Sequence, residues 1–191
     1  MSANIESAIE HTMWLEGKFS NNKDDSGGAT KYGVTEATAR AKGYLGRMED
    51  MPIEFARDVV YPDYWNRAWE ALESQAVANE LFDTRINAFK VSDAIAQAAV
   101  NSLNMGGTLY PNIHVDGSAG PKTVDALNIL IRRGDEAVLL KVMNRLQGAY
   151  YIASAAGEDA KAGWFAMVRG TAGPTNEKNE TFMRGWINKR T

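Results

Sequence analysis

The sequence predicts an all-α fold, α+β at most, on three observations. Apolar residues recur at i, i+3, i+4 spacing nearly throughout the 191 residues. Most of these runs open on Ser, Thr, Asp or Pro, as helices do at their caps and first turns. The one polar, glycine-containing tract near the N-terminus, Ser20 to Gly28, is too poor in apolar residues for a core element and leaves room for a small hairpin or loop.

Each element follows in order. Ile5, Ala8, Ile9, Thr12 and Met13 make an amphipathic first helix, with Gly17 where it should stop. Thr35 caps a helix from Glu36 to about Lys42. Pro52 opens another, carrying Phe55, Val59 and Val60, and Pro62 interrupts it. The aromatic segment Tyr64, Trp65, Trp69 follows, its two tryptophans four apart on one helical face. Ser74 to Phe89 reads as a helix with Val77, Leu81, Phe82, Ile86 and Phe89 inward, and Ser92 caps the next, which ends at Gly106–Gly107. The stretch Thr108 to Gly120 has little helix signal and suggests a boundary between regions 1–107 and 108–191, expected to pack as one unit. Pro121 then opens a helix through Ile131, and Asp135 starts a long one to about Ala155. Short helices over Glu158–Val168 and Asn179–Asn188 flank a loop at Gly173–Pro174.

Composition narrows the function. Hydrophobic residues are 45% and charged residues 24%, an ordinary globular balance. There is no cysteine, so thiol catalysis, disulfides and zinc–thiolate sites are excluded. The two histidines, His11 and His114, cannot supply a three-histidine metal site, and no cofactor or metal is implied. The net charge of −3, with no basic block, argues against nucleic acid. No apolar run is long enough for stable membrane insertion. Met1 to Glu10 carries two acids and no Lys or Arg, unlike a signal peptide. The expectation is a protein held in the cytoplasm of the producing cell.

One residue breaks the pattern of the first helix. The stripe Ile5, Ile9, Met13 continues three residues on to Glu16, a carboxylate on the core-facing side of a helix end. Burial raises a carboxyl pKa, and a protonated acid near neutral pH is what general-acid catalysis requires. An exposed Glu at a frayed helix end fits the same periodicity equally well. The following loop brings Asp24 and Asp25 in Asp24-Asp25-Ser26-Gly27-Gly28. One buried acid facing one solvated carboxylate is the arrangement of glycoside hydrolysis, with the Thr30 hydroxyl placed to hold a water. Asp-Ser-Gly-Gly is also what an ordinary turn looks like, and without more the turn is favoured. A calcium loop starting at Asn22 lacks its closing Glu, since Gly33 stands there.

Extended over its neighbours, Glu16-Gly17-Lys18-Phe19 … Asp25-Ser26-Gly27-Gly28-Ala29-Thr30-Lys31-Tyr32-Gly33-Val34-Thr35 resembles the N-terminal pattern E-G-G-Y/F, polar loop, D-x-G-G-x-T-x-Y-G-I/V-T of the glycoside hydrolase family 108 muramidases. These occur as phage endolysins and bacterial lysozyme-like proteins. Lys18 departs from the second glycine. Tyr61 … Tyr64-Trp65, Leu81-Phe82-Asp83 … Asn87, the Asp116-Gly117 … Gly120-Pro121-Lys122-Thr123 turn and Gly185-Trp186 … Arg190 resemble later family elements, in order. The region after the turn resembles a predicted peptidoglycan-binding domain. The resemblance implies a lysozyme-like helical fold whose small N-terminal hairpin or loop carries part of the site. It implies Glu16 as the acid, Asp25 as the second carboxylate and Thr30 as the third member, with inversion at the anomeric carbon. The implied partner is the glycan strand of bacterial peptidoglycan, cut between N-acetylmuramic acid and N-acetylglucosamine by a monomer that acts in the periplasm or cell wall after holin-type release.

The remaining candidates divide between site and scaffold. Tyr32 either stacks on a sugar or shapes a turn with its ring on the core. Asp24, Asp83 and Asn87 are candidates for substrate binding, and a structural role for Asp83 with Asn87 competes. Trp65 and Trp69 suit the core better than a cleft. Asn101 and Asn104 read as caps or solvent-facing groups, and Trp164 and Trp186 as anchors of the C-terminal helices. Two other functions stay open: a lytic transglycosylase using Glu16 alone, and a wall-binding or secretion-accessory module that does not cleave.

Overall fold

The computed structural model describes residues 3–16 and 28–173, with Met183 and residues 185–187. Among them the chain is helical apart from one two-stranded hairpin, so the all-α expectation holds. No described helix is long and apolar enough to cross a membrane.

The first helix, α1 (Ile5–Glu16), buries Ala8, Ile9 and Thr12, as its spacing predicts. The stop at Gly17 and the loop from Ser20 to Gly27 lie outside the described residues. Asn4 caps α1 by accepting from the Ser7 N–H at 2.8 Å. Its backbone also exchanges bonds with Gln75, which opens α4 (Gln75–Asn87). The two helices therefore start together and pack along each other, which sets the end of α1 and the end of α4 on the same side.

The hairpin β1 (Thr30–Lys31) and β2 (Val34–Thr35) pairs Lys31 with Val34 and Thr30 with Thr35. Tyr32 and Gly33 form its two-residue turn, with φ of 52° and 70°. Positive φ at both central positions is the turn whose twist matches a hairpin, and glycine suits it where tyrosine does not. Thr35 caps α2 (Glu36–Ala41) by accepting from the Thr38 N–H, as expected.

The next stretch departs from expectation. Pro52 caps α3 (Ile53–Phe55) rather than lying inside it. The helix then widens to a π turn over Ala56–Val60 and tightens to 3₁₀ over Tyr61–Tyr64. Pro62 has no N–H to give the preceding turn, which accounts for the change of winding there. Val60 is buried and Val59 is exposed, so only one of the pair faces in. Trp65 is extended and Trp69 sits in a separate 3₁₀ turn, Arg67–Ala71. The two rings do not share a helix face, yet they meet edge to face at 5.5 Å, and Trp69 is fully buried.

Ser74 caps α4 as predicted, accepting from the Val77 N–H. Val77, Leu81 and Phe82 are fully buried; burying each contributes roughly 1.5–3 kcal/mol. The chain breaks at Ala88, and Phe89 opens α5 (Phe89–Ser102) with its ring 48% exposed, not inward. Ser92 is therefore no cap: it lies inside α5 and donates to the Leu81 carbonyl at 2.6 Å. Every residue from Val91 to Asn101 is buried, so α5 is the central helix, apolar nearly all round. It packs against α4, α6 (Pro121–Arg132), α7 (Glu136–Ala156) and α8 (Glu158–Gly170).

Helix α5 ends at Ser102, ahead of Gly106–Gly107. Asn101 and Asn104 are fully buried rather than solvent-facing. Asn101 exchanges two bonds of 2.7 Å with the Ile113 backbone. Asn104 accepts from the Leu109 and Tyr110 N–H groups and donates to the Tyr110 carbonyl. Two amides thus serve the backbone of the irregular stretch after α5, which has no ladder of its own. Trp164 anchors α8, donating to the Leu146 carbonyl at 3.1 Å. At the C-terminus Ile187 is buried and Trp186 is 45% exposed, so the apolar anchor there is the isoleucine. The loop at Pro174 and most of the 179–188 helix lie outside the described residues.

Candidate active site

Helix α4 organises the region where the candidates fall. Glu16 closes α1, which packs against α4. Its side chain lies outside the described residues, as do Asp24 and Asp25. The hairpin reaches α4 through the fully buried Tyr61. Its ring stands edge to face with Phe82 of α4, centroids 5.9 Å apart, and its hydroxyl donates to the Tyr32 carbonyl at 2.5 Å. A buried aromatic spends its hydroxyl where a partner is fixed, and here that partner is the turn of the hairpin. Lys31 donates from Nζ to the Glu49 carbonyl and ties β1 to the 3₁₀ turn Met48–Asp50.

The structure places four predicted residues on this frame. Thr30 is half-buried on β1. Tyr32 is half-buried at the turn, its ring packed on the core with the Lys31 ammonium 5.1 Å from the centroid. This matches the turn-shaping alternative for Tyr32. Asp83 is half-buried and Asn87 exposed on α4. The Asn87 amide donates to the Asp83 carbonyl at 3.2 Å, so this contact reaches the backbone and leaves the Asp83 carboxylate out of it.

Beside the hairpin lies a groove of about 530 Å³ that the sequence did not reveal. It is lined by Thr38 of α2, Lys42 just past its end, Asp63 and Tyr64, and Ile86 and Phe89. Lys42 pairs with Asp63, and the Tyr64 and Phe89 rings meet edge to face at 5.8 Å. Aromatic faces beside fixed polar groups suit a chain of sugars, whose rings are apolar on one face and hydroxylated at the edge. The outward turn of Phe89 was hidden because its spacing continues the apolar stripe of α4.

Two described carboxyls stand above their ordinary range. Burial pushes Glu80 up, with the neighbouring Asp83 charge adding to it. Burial also raises Asp93, against the pull of Arg85. Arg85 Nη1 lies 2.8 Å from Asp93 Oδ2, joining α4 to α5 across the break at Ala88.

Two family models match the chain. Residues 9–88 match the family described as glycosyl hydrolase 108, a span that contains Glu16, Asp24, Asp25, Thr30, Tyr32, Asp83 and Asn87. Residues 92–191 match the region described as a predicted peptidoglycan domain, which contains the Asp116–Thr123 turn. No curated protein matches the chain.

Proposed function

On the premise that this chain belongs to the glycosyl hydrolase 108 family and is a glycoside hydrolase acting on peptidoglycan, we propose that it cuts the β-1,4 bond between N-acetylmuramic acid and N-acetylglucosamine. The observation that carries the reading is the family match over residues 9–88, which spans the whole Glu16, Asp25, Thr30 set. The geometry supports it: α4 packs against α1, the helix that ends at Glu16, and meets the hairpin through Tyr61.

In this mechanism Glu16, protonated, gives its proton to the glycosidic oxygen as the C–O bond breaks. Asp25, ionised in its polar loop, takes a proton from a water held by Thr30. The water oxygen attacks the opposite face of the anomeric carbon, and the configuration inverts. Inversion requires room for that water, about 6.5–9.5 Å between the two carboxyl groups. The Tyr64 and Phe89 groove carries the glycan strand past the hairpin. Asp24, Asp83 and Asn87 are assigned to hydrogen bonding of the sugar hydroxyls, and Tyr32 sets the turn next to Thr30.

Wild type and Glu16→Gln are incubated with peptidoglycan sacculi, and released fragments are identified by mass spectrometry. The expected result is products with reducing-end muramic acid from wild type and none from the variant. Anhydromuramic products would assign a lytic transglycosylase and remove Asp25 from the reaction. Retained binding to sacculi without any product from either protein would assign a binding module.

A further inference from the structure

The turn from Asp116 to Thr123 lies outside the residues assigned to glycan cleavage. Most of it is explained by folding. Asp116 Oδ1 accepts from the Gln97 amide at 2.7 Å and from the Ser118 N–H at 2.9 Å. Gln97 in turn accepts from the Gly117 N–H at 3.0 Å. Gly117 has φ of 75°, and a Cβ there would meet the Lys90 carbonyl oxygen at 3.2 Å. Thr123 is not explained in this way. It is 2% exposed, and its hydroxyl has no hydrogen-bond partner among the described residues.

Thr123 lines a cleft of about 600 Å³. Asp116 and Lys122 stand exposed at the rim, and Ile113 and Pro121 are its apolar walls. The cleft also receives the start of α6, twelve residues long, where Gly120 offers no side-chain cap and Pro121 no N–H. The Gln97 amide holds the Asp116 carboxyl below the ordinary range, so Asp116 is an anion at neutral pH. One site therefore presents an anion, a cation, the positive end of a helix and a hydroxyl with no partner among the described residues, with apolar sides.

That set fits a ligand carrying both an ammonium and a carboxylate on a short aliphatic stem. N-acetylated sugars carry no ammonium. The stem peptide of peptidoglycan does, on its diamino acid. We propose that this cleft binds the stem peptide, the diamino-acid ammonium meeting Asp116, a peptide carboxylate meeting Lys122 and the start of α6, and Thr123 bonding the peptide backbone. The inference rests on peptidoglycan being the substrate. It divides recognition, with the glycan held at the hairpin groove and the peptide held here, so that each contact raises the local concentration for the other.

The test is calorimetric titration of the full chain with the free tetrapeptide L-alanyl-γ-D-glutamyl-meso-diaminopimelyl-D-alanine. Thr123→Val keeps the shape and breaks no internal bond, and Lys122→Ala is exposed, so both should fold with an unchanged Tm. Wild type should bind, and each variant should bind at least about five-fold more weakly, the loss of one good hydrogen bond or charge contact. Acetylating the side-chain amine of the peptide should abolish binding. No heat at millimolar peptide, or unchanged affinity in both variants, overturns the proposal. Binding of peptide-free glycan fragments that Thr123→Val abolishes also overturns it, assigning the cleft to sugar. Wild type is assayed in parallel on sacculi stripped of peptide. Cleavage there without tetrapeptide binding sinks this inference and leaves the glycosidase reading standing; binding without cleavage does the reverse.

Discussion

Replacing Arg85 by Met removes one partner of a buried ion pair at the junction that sets the groove. Arg85 and Asp93 are 12% and 5% exposed, and their 2.8 Å contact joins α4 to α5 across Ala88. The guanidinium also lies 4.1 Å from the Phe89 ring centroid and 5.3 Å from that of Trp69. Methionine keeps much of the apolar volume but leaves the Asp93 carboxylate buried without its cation. Breaking such a pair costs about 3–5 kcal/mol, of which the two cation–π contacts make up a part, roughly 0.5–2 kcal/mol each. The cost depends on pH. Burial already holds Asp93 above the ordinary carboxylate range, and the Arg85 charge and hydrogen bond pull it down. Without Arg85 it rises further. A carboxyl raised in the folded state keeps an extra proton there, so its stabilising contribution is full below the ordinary range. That contribution is lost as pH climbs through the raised value. The deficit of Arg85→Met is therefore smallest in acid and grows toward neutrality, while Asp93→Asn, which retains an acceptor and no charge, costs less at neutral pH. Urea unfolding of the three proteins across about pH 4.5 to 8 reads both effects. A deficit that is flat with pH, or that stays below about 1 kcal/mol as solvent-screened pairs do, would refute the reasoning.

Two further substitutions test the frame. Gly33→Ala forces a side chain onto φ of 70° at the hairpin turn and should cost about 1–2 kcal/mol in thermal unfolding; no change in Tm would mean the turn is not held in this form. Asn101→Ala strips the Ile113 N–H and carbonyl of their partner and should cost roughly 2–4 kcal/mol, read by urea titration; a loss under about 1 kcal/mol would mean water reaches that backbone.

Much of the fold was legible because its signals are local. The α1 stripe, the Thr35 and Ser74 caps, Pro121 at the start of α6 and the long α7 all stand where spacing and cap chemistry put them. The errors share one cause. Phe89 continued a helical spacing that the break at Ala88 ends, Ser92 looked like a cap inside a helix that starts three residues earlier, and Trp65 and Trp69 shared a period without sharing a helix. In each case a change of backbone winding reset the face, and spacing is blind to that. The hairpin stands just past the polar tract that leaves room for one, marked by β-branched Thr30, Val34 and Thr35 around a residue–glycine pair.

The candidate site divides along the same line. Glu16, Asp25 and Thr30 are candidates read from one contiguous family pattern, Glu16 to Thr35. The Tyr64 and Phe89 groove is built from segments distant in sequence, and the Thr123 cleft from the single stretch 112–123 set against Gln97 of α5. By itself the sequence determined the helical periods, the caps, the family pattern and the residue types available for catalysis, since each of these is set within a turn or two of chain. Only the tertiary structure decided which polar groups are buried and what they face, including Asn101 and Asn104 serving a loop, Arg85 paired with Asp93, and the Thr123 hydroxyl without a partner among the described residues. Burial is a property of everything packed against a residue, and those neighbours come from α4, α5, α6 and the stretch between, which the fold brings together and the local pattern does not record.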